Sequence, residues 1–390
     1  MKRMIGSGAY GVVKKVGSYA VKKLPSESFE SAIREIAYMC ACSHPNFIQL
    51  ISMDVSIDEV FYLKMKLFTF DLRKYLNMRI KMLLPTMYAI AHDIINAVDY
   101  LHSRGIIHCD ICPSNILVDM NGETIINVTL CDLGIAVLDC NIAHCSHVQT
   151  YLYRAPEVYY HSKLLKFSKH IDIWSVGCIL FEIAFNDSFH PYSQTEDTSI
   201  YIAQLMNIVE SSQYSRVQLL NDITPTRVRK YITDRISFYT KIDCISDEYI
   251  DLFVSCLIPN IKLRIDSVQL LIAVNKLINQ NCINSPNPIT FKQYDADDMY
   301  CLTNINMDIV AKCPHETLIY AENLYRSCID IMSITYNTQL ACIYIATCIY
   351  SAVNIVKELI TISDMVTIKA EVMRITITTV GKLICSHVVI

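Results

Sequence analysis

Charge is scarce in this 390-residue chain: Asp, Glu, Lys and Arg make up 18% of it, against 52% hydrophobic residues. Soluble proteins carry roughly 25% charge. Such a composition excludes a disordered chain, a collagen-like one and a long coiled coil. A basic excess is also missing. The 34 Lys+Arg face 38 Asp+Glu, for a net charge of -4, which argues against a dedicated nucleic-acid binder. No apolar leader opens the chain, which starts Met1-Lys2-Arg3-Met4-Ile5-Gly6-Ser7-Gly8, and no internal repeat or low-complexity tract follows. Cysteine, by contrast, is abundant, with 17 residues. In a long chain without a leader these read as reduced thiols serving as small core hydrophobes, and the protein is expected to be intracellular. Ile331 to Val356 contains no charged residue and is long enough to span a bilayer. Asn337, Gln339, Thr347 and Asn354 interrupt it, so a buried helix is expected and no membrane association.

At about 100–200 residues per domain, the length suggests two or three domains. Residues 1–66 read as strands with one helix. Gly17-Ser18 is a tight turn between Val12–Val16 and Tyr19–Lys22, a hairpin signal. Apolar residues at Ala32, Ile33, Ile36, Ala37 and Met39 give Ser28 to Cys42 a helical period. Helical patterns dominate 69–280, interrupted by loop and short-strand material at His108–Val118 and Asn127–Ala136. Residues 281–298, with Ser285-Pro286-Asn287-Pro288, read as a linker, and 299–390 is again helical. The expected fold is α+β: a sheet-rich N-lobe, a helical C-lobe and a separate all-α tail.

Gly6-Ser7-Gly8-Ala9-Tyr10-Gly11 is G-x-G-x-x-G, a weak signal by itself. A dinucleotide fold would place a helix directly after it. Here Val12 and Val13 lead instead into a hairpin whose second strand carries Ala20-Val21-Lys22. Glycines between strands let backbone amides close over phosphates, and a strand lysine can reach phosphate oxygens. Glu35, on the next helix, is placed to hold that lysine. Farther on come His108-Cys109-Asp110-Ile111-Cys112-Pro113-Ser114-Asn115, then Cys131-Asp132-Leu133-Gly134, then Ala155-Pro156-Glu157. Phosphoryl transfer needs one carboxylate to accept a hydroxyl proton, and an amide with a second carboxylate to hold Mg²⁺. Asp110, Asn115 and Asp132 supply that set in order.

With these motifs, residues 1–280 resemble the eukaryotic protein kinases. The resemblance implies ATP and Mg²⁺ as cofactors and a protein substrate. It implies that Ile5, Gly6, Gly8, Gly11, Val13, Ala20 and Leu117 enclose the nucleotide, with Met65 as gatekeeper. Leu67 and Phe68 would read the adenine edge, Asp71 would face the ribose, and Lys22 would hold the phosphates. Asn115 and Asp132 would hold the metal, and Asp110 would be the base. Thr150 matches the threonine that contacts this aspartate in Ser/Thr kinases. Asp172 looks like the buried anchor of the catalytic loop, and Glu157 is expected to pair with Arg264. Ser31-Ala32-Ile33-Arg34-Glu35 narrows the likeness to the cyclin-dependent kinases, with Tyr10 as their regulatory tyrosine. The tail, through Glu316-Thr317-Leu318, Gln339 to Ser351 and Thr367 to Ile384, resembles the latter helices of a cyclin box. Its implied partner is a cyclin or the chain's own tail.

The pattern is broken at several points. Cys109 and Cys112 replace an arginine and a lysine of the catalytic loop. Cys145 stands where a phosphothreonine is carried, and Val137 where an arginine follows the Asp132-Leu133-Gly134 triplet. Of the three arginines that would receive the phosphate only Arg34 is present, so control by phosphate at residue 145 is not expected, Ser146 being the nearest hydroxyl. In the tail, Cys348 and Thr376 replace the lysine and glutamate that face the kinase in cyclins. Cys109 and Cys112 also form a CxxC, for which His144 and His147, flanking Cys145, are the candidate partners, but one such pair is a weak zinc signal. Two readings follow: an active Ser/Thr kinase, or a pseudokinase that binds nucleotide or partners without efficient transfer.

Overall fold

The computed structural model describes residues 3–8, 11–24, 29–56, 60–80, 82–122, 124–138, 148–160, 168–189, 224–236 and 245–280, with 341, 342 and 372. Tyr10, His144, Cys145, Ser146, His147, the linker 281–298 and, apart from Ala341, Cys342 and Val372, the tail segments, Cys348 and Thr376 included, lie outside the described residues.

Five strands form the N-lobe sheet: β1 (Arg3–Gly8), β2 (Gly11–Val16), β3 (Tyr19–Leu24), β4 (Leu50–Val55) and β5 (Phe61–Lys66). Their order is β1-β2-β3-β5-β4, antiparallel throughout. Alternation sets the inward face, with Ala20, Lys22 and Leu24 on β3 and Phe61, Leu63 and Met65 on β5 all buried. Gly17 takes φ 61° in the β2–β3 turn, the left-handed conformation that glycine enters without steric penalty. Gly11 serves closeness instead: a Cβ there would lie 2.4 Å from the Lys23 carbonyl oxygen. Helix α1 (Phe29–Ala41) turns Ala32, Ile33, Ile36 and Met39 into the core and carries Glu35 at the same buried face.

Residues 44–48 clip this lobe to the next. The Asn46 side chain donates to the Val128 carbonyl at 3.0 Å, and Leu130 N–H donates to the Asn46 carbonyl at 2.8 Å. The C-lobe then runs β6 (Phe70–Asp71), α2 (Leu72–Asn77), α3 (Leu84–Ser103), β7 (Ile106–Ile107), β8 (Ile116–Asn121), β9 (Thr124–Leu130), β10 (Val137–Leu138), α4 (Pro156–Tyr160), α5 (His170–Phe185), α6 (Pro225–Ile236), α7 (Asp247–Cys256) and α8 (Ser267–Gln280). Strands β6-β8-β9 form one small sheet and β7-β10 a second. Helix α5 is buried continuously from Ile171 to Ile183, as a helix apolar on all sides must be. Gly177 lets α7 come close: a Cβ there would sit 2.6 Å from Cys256 Cβ and 2.9 Å from Leu257 Cγ. The Arg264 guanidinium, wholly buried, meets Glu157 through two hydrogen bonds of 2.6 and 2.9 Å.

Among the described residues no helix is long and apolar enough to cross a membrane, and no group of three or more His, Cys, Asp and Glu gathers as metal ligands. Cys42, Cys109, Cys112, Cys178, Cys256 and Cys342 are buried thiols, and Cys131 is a half-buried one.

Candidate active site

Strand register brings together the residues expected to enclose a nucleotide. Gly6 pairs with Val13 and Val13 with Lys22, while Ala20 pairs with Met65. Ala20 and Lys22 are two residues apart on β3 and so share one face. The facing small sheet pairs Asp71 with Leu117. Leu67 and Phe68, both half-buried, follow β5, and Lys66 there binds Asp119 at 2.8 Å. Asp71 is engaged locally. Its Oδ1 accepts the Lys74 N–H at 2.8 Å, capping α2, and its Oδ2 meets the Lys74 ammonium at 2.6 Å. That ammonium also donates to the Ile5 carbonyl at 3.2 Å, tying β1 to α2. Gly8 closes β1 opposite Gly11.

Lys22 is the electrostatic centre. Its Nζ lies 2.6 Å from Glu35 Oε1 and 2.9 Å from Asp132 Oδ1. Burial alone would lower its pKa, but the two carboxylates more than reverse this and hold it above the ordinary lysine value. Burial likewise would raise Asp132; the Lys22 charge and the Gly134 N–H outweigh it and keep this carboxyl below its usual range. Asp132 adopts φ 71°. Ser31, one turn before Glu35, donates to the Gly134 carbonyl at 2.7 Å. Helix α1 is thus tied to residues 132–134 directly through Ser31 and indirectly through Lys22, which binds both Glu35 and Asp132.

The catalytic loop hangs from Asp172. Its carboxylate accepts the His108 N–H at 2.8 Å, the Cys109 N–H at 3.0 Å and His102 Nε2 at 2.9 Å. His108 Nδ1 accepts the Asp110 N–H at 3.2 Å and Nε2 faces the Cys131 carbonyl at 3.0 Å, so Nε2 carries the ring proton. Asp110 Oδ2 and the Asp110 carbonyl both accept from Asn115 Nδ2 at 2.9 Å. With its amide nitrogen so used, Asn115 keeps its carbonyl oxygen as an acceptor. Carboxylate and amide oxygens suit a hard cation, so the donor set of Asn115 and Asp132 fits Mg²⁺. Asp110 Oδ1 accepts both the backbone N–H and the hydroxyl of Thr150, at 3.0 and 2.7 Å.

Comparison with known proteins accords with this geometry. The family profile described as protein kinase domain matches residues 1–274. The chain belongs to the protein kinase family. It is 33% identical over 189 residues to the "Probable CTD kinase subunit alpha homolog" of Encephalitozoon cuniculi, a match covering 46% of this chain and 55% of that protein. With "Mitogen-activated protein kinase HOG1A" of Wallemia ichthyophaga it shares 28% over 284 residues, 68% of this chain and 74% of the relative. With "Protein kinase gsk31" of Schizosaccharomyces pombe it shares 31% over 238 residues, covering 56% of this chain and 59% of that one. The chain thus spans little more than half of the first of these relatives. Among solved structures, the crystal structure of the yeast RNA Pol II CTD kinase CTDK-1 complex superimposes with a TM-score of 0.54 at 21% identity, covering 69% of this chain and 90% of that one. That likeness is one of fold.

Within the kinase the two loop cysteines are both buried, Cys109 at 0% and Cys112 at 4% exposure. Burial, with the Asp110 charge, pushes the Cys112 thiol up to about 11, so it is a neutral apolar group at pH 7. Cys109 sits at φ 66° and its carbonyl accepts the Gln149 N–H at 2.8 Å. Sequence reasoning assigned no role to Gln149, nor to the cluster in which Arg73 bonds Glu182 and Tyr153 while Tyr153 donates to Glu182 Oε2 at 2.6 Å. Only the apolar run of α5 hints at the cluster, because Glu182 there needs a buried partner.

Proposed function

We propose that this kinase is a Ser/Thr protein kinase of the cyclin-dependent type that uses ATP with Mg²⁺. Asp110 carries the reading: one of its carboxylate oxygens is fixed by Asn115 and the other by Thr150, which leaves the group oriented to receive the proton of a substrate hydroxyl. Val13, Ala20, Met65 and Leu117 would enclose the adenine, with Ile5, Leu67 and Phe68 along its edge. Gly6, Gly8 and Gly11 would let the strands close over the phosphates, which Lys22 would hold under the control of Glu35. Asp71 would meet the ribose only by yielding contact with Lys74. Asn115 and Asp132 would hold Mg²⁺, which when bound neutralises charge on the phosphates. Helix α1 carries Glu35 into contact with Lys22, the arrangement that a partner, either the tail 299–390 of the same chain or a separate cyclin, would stabilise.

The test is transfer of phosphate by the purified chain to a generic basic protein and to an RNA polymerase II CTD peptide, the latter chosen from the names of the CTD kinase relatives. Asp110→Asn is the control. Transfer that the substitution abolishes supports the enzyme. Equal signal from both proteins eliminates it and leaves the non-catalytic binding module, the reading that the buried Cys112 thiol favours. Unchanged transfer after removal of residues 295–390 refutes activation in cis.

A further inference from the structure

The sequence removes the means by which kinases of the resembled group hold their activation segment. Residue 145 is cysteine, and two of the three receiving arginines are replaced, by Cys109 and Val137, with only Arg34 kept. Yet Thr150, at the end of that segment, grips Asp110 through two hydrogen bonds. Something else must fix it.

The neighbouring residue supplies a structural answer. Gln149 is 4% exposed, although glutamine is mostly an exposed residue. All four of its polar atoms are bonded. Its N–H donates to the Cys109 carbonyl at 2.8 Å. Its Nε2 donates to the Ile171 carbonyl and to Ser175 Oγ, each at 2.8 Å, and its Oε1 accepts the Ala155 N–H at 2.9 Å. Its carbonyl accepts Arg154 Nε and Nη2 at 3.2 and 2.9 Å. Because Ala155 N–H can only donate and Ile171 C=O can only accept, the amide has one satisfied orientation. The backbone takes φ 64°, a left-handed conformation that a side-chain-bearing residue keeps only when its surroundings over-determine it.

We infer that Gln149 is the positioning residue of the activation segment, stapling its end to the catalytic loop, α5 and residues 154–155 so that Thr150 meets Asp110 without a phosphate. Ser175 completes the staple: besides accepting from Gln149, its hydroxyl donates to the Tyr153 carbonyl at 2.7 Å. The inference rests on the proposed phosphotransfer for its kinetic consequences, but its structural part can be tested separately.

The full chain is assayed on a peptide before and after phosphatase treatment, with mass spectrometry reading the phosphate it carries in each state, and amide exchange is followed at residues 149–155. Removal of any phosphate is expected to leave the rate unchanged. Gln149→Ala is expected to lower peptide kcat by about 10–100-fold, the scale of a misplaced catalytic group, while KM for ATP stays within about twofold. Protection of the Ala155 amide should fall in the same variant while that of α3 persists. Gln149→Met, which keeps volume but loses the hydrogen bonds, should behave like Gln149→Ala. If neither variant folds, Ser175→Ala should lower kcat by about 3–10-fold on the same reasoning. A Gln149→Ala rate equal to that of the parent, full activity in Gln149→Met, or dependence on a phosphate removable by phosphatase would each overturn the staple. If the parent transfers no phosphate, the proposed function fails but the exchange arm still decides: lost Ala155 protection supports the staple, and unchanged protection refutes it.

Discussion

Asp110 and Thr150 meet at a single atom: Oδ1 of the aspartate accepts the threonine backbone N–H at 3.0 Å and its hydroxyl at 2.7 Å. The hydroxyl bond depends on the side chain and the amide bond does not. Thr150→Ala is therefore expected to lower kcat by about 10-fold, near the lower end of values for one orienting contact, and to leave KM for ATP unchanged. Thr150→Ser should restore most of the rate. Steady-state peptide phosphorylation checks both, and a fully active alanine variant would contradict the geometry.

Lys22 and Glu35 separate stability from activity. Lys22→Met strands the buried Glu35 carboxylate, and breaking such a pair from one side destabilises by about 3–5 kcal/mol. The double variant Lys22→Met/Glu35→Leu removes the buried pair but leaves Asp132 without its cation. The Asp132 side chain is 31% exposed and can meet water. The double variant should therefore regain part of that stability, because apolar replacement of a buried pair is often close to neutral. Neither protein should transfer phosphate. Urea unfolding combined with a transfer assay reads the two effects apart.

Cys112 offers a gain of function. The thiol is neutral and lies beside Asp110, where the resembled family carries a lysine. Cys112→Lys is expected to raise kcat by about 10-fold, since one contact that stabilises developing charge is worth at least that much. A lysine stem can line the buried wall while its ammonium reaches the cleft. No gain in turnover would show that the loop has lost the geometry as well as the charge.

His44 sets an acid limit. It stacks on Tyr100 at 4.7 Å between ring centres, and its Nδ1 accepts the Asn46 N–H at 3.2 Å. Burial lowers its pKa to about 4, with Asp93 opposing the shift and His92 adding to it. Between this value and its ordinary 6.5 the unfolded chain binds more protons than the folded one. Stability from this group is therefore complete above pH 6.5 and is lost as pH falls toward 4. Discounted for the ring surface that stays in water, the loss is about 1–2 kcal/mol. His44→Asn keeps an acceptor for the Asn46 N–H through an Asx turn and does not titrate. It should lose less stability than the parent between pH 7 and pH 4, as read by urea unfolding at the two values. An equal loss would assign the effect elsewhere.

The parts of the site that lie within short motifs were legible in the sequence because they depend on local spacing. Gly17-Ser18 marked the hairpin that faces Val13 toward Lys22. Asp110 and Asn115 lie five residues apart and meet in one loop. Long-range polar contacts were not legible. Ser31 reaches Gly134 across 103 residues, and Arg73 reaches Glu182 across 109; no periodicity encodes such a meeting. Gln149 was hidden for a related reason. A single glutamine between Val148 and Thr150 reads as an ordinary surface residue until α5 is packed beneath it.

The Asp172 carboxylate grips the catalytic loop through the amides of His108 and Cys109. An amide is common to every residue except proline, so the path of the loop is indifferent to which side chain follows His108. The side chain at position 109 can therefore change without displacing Asp110: the backbone that carries the base and the side-chain chemistry of its neighbour are set independently.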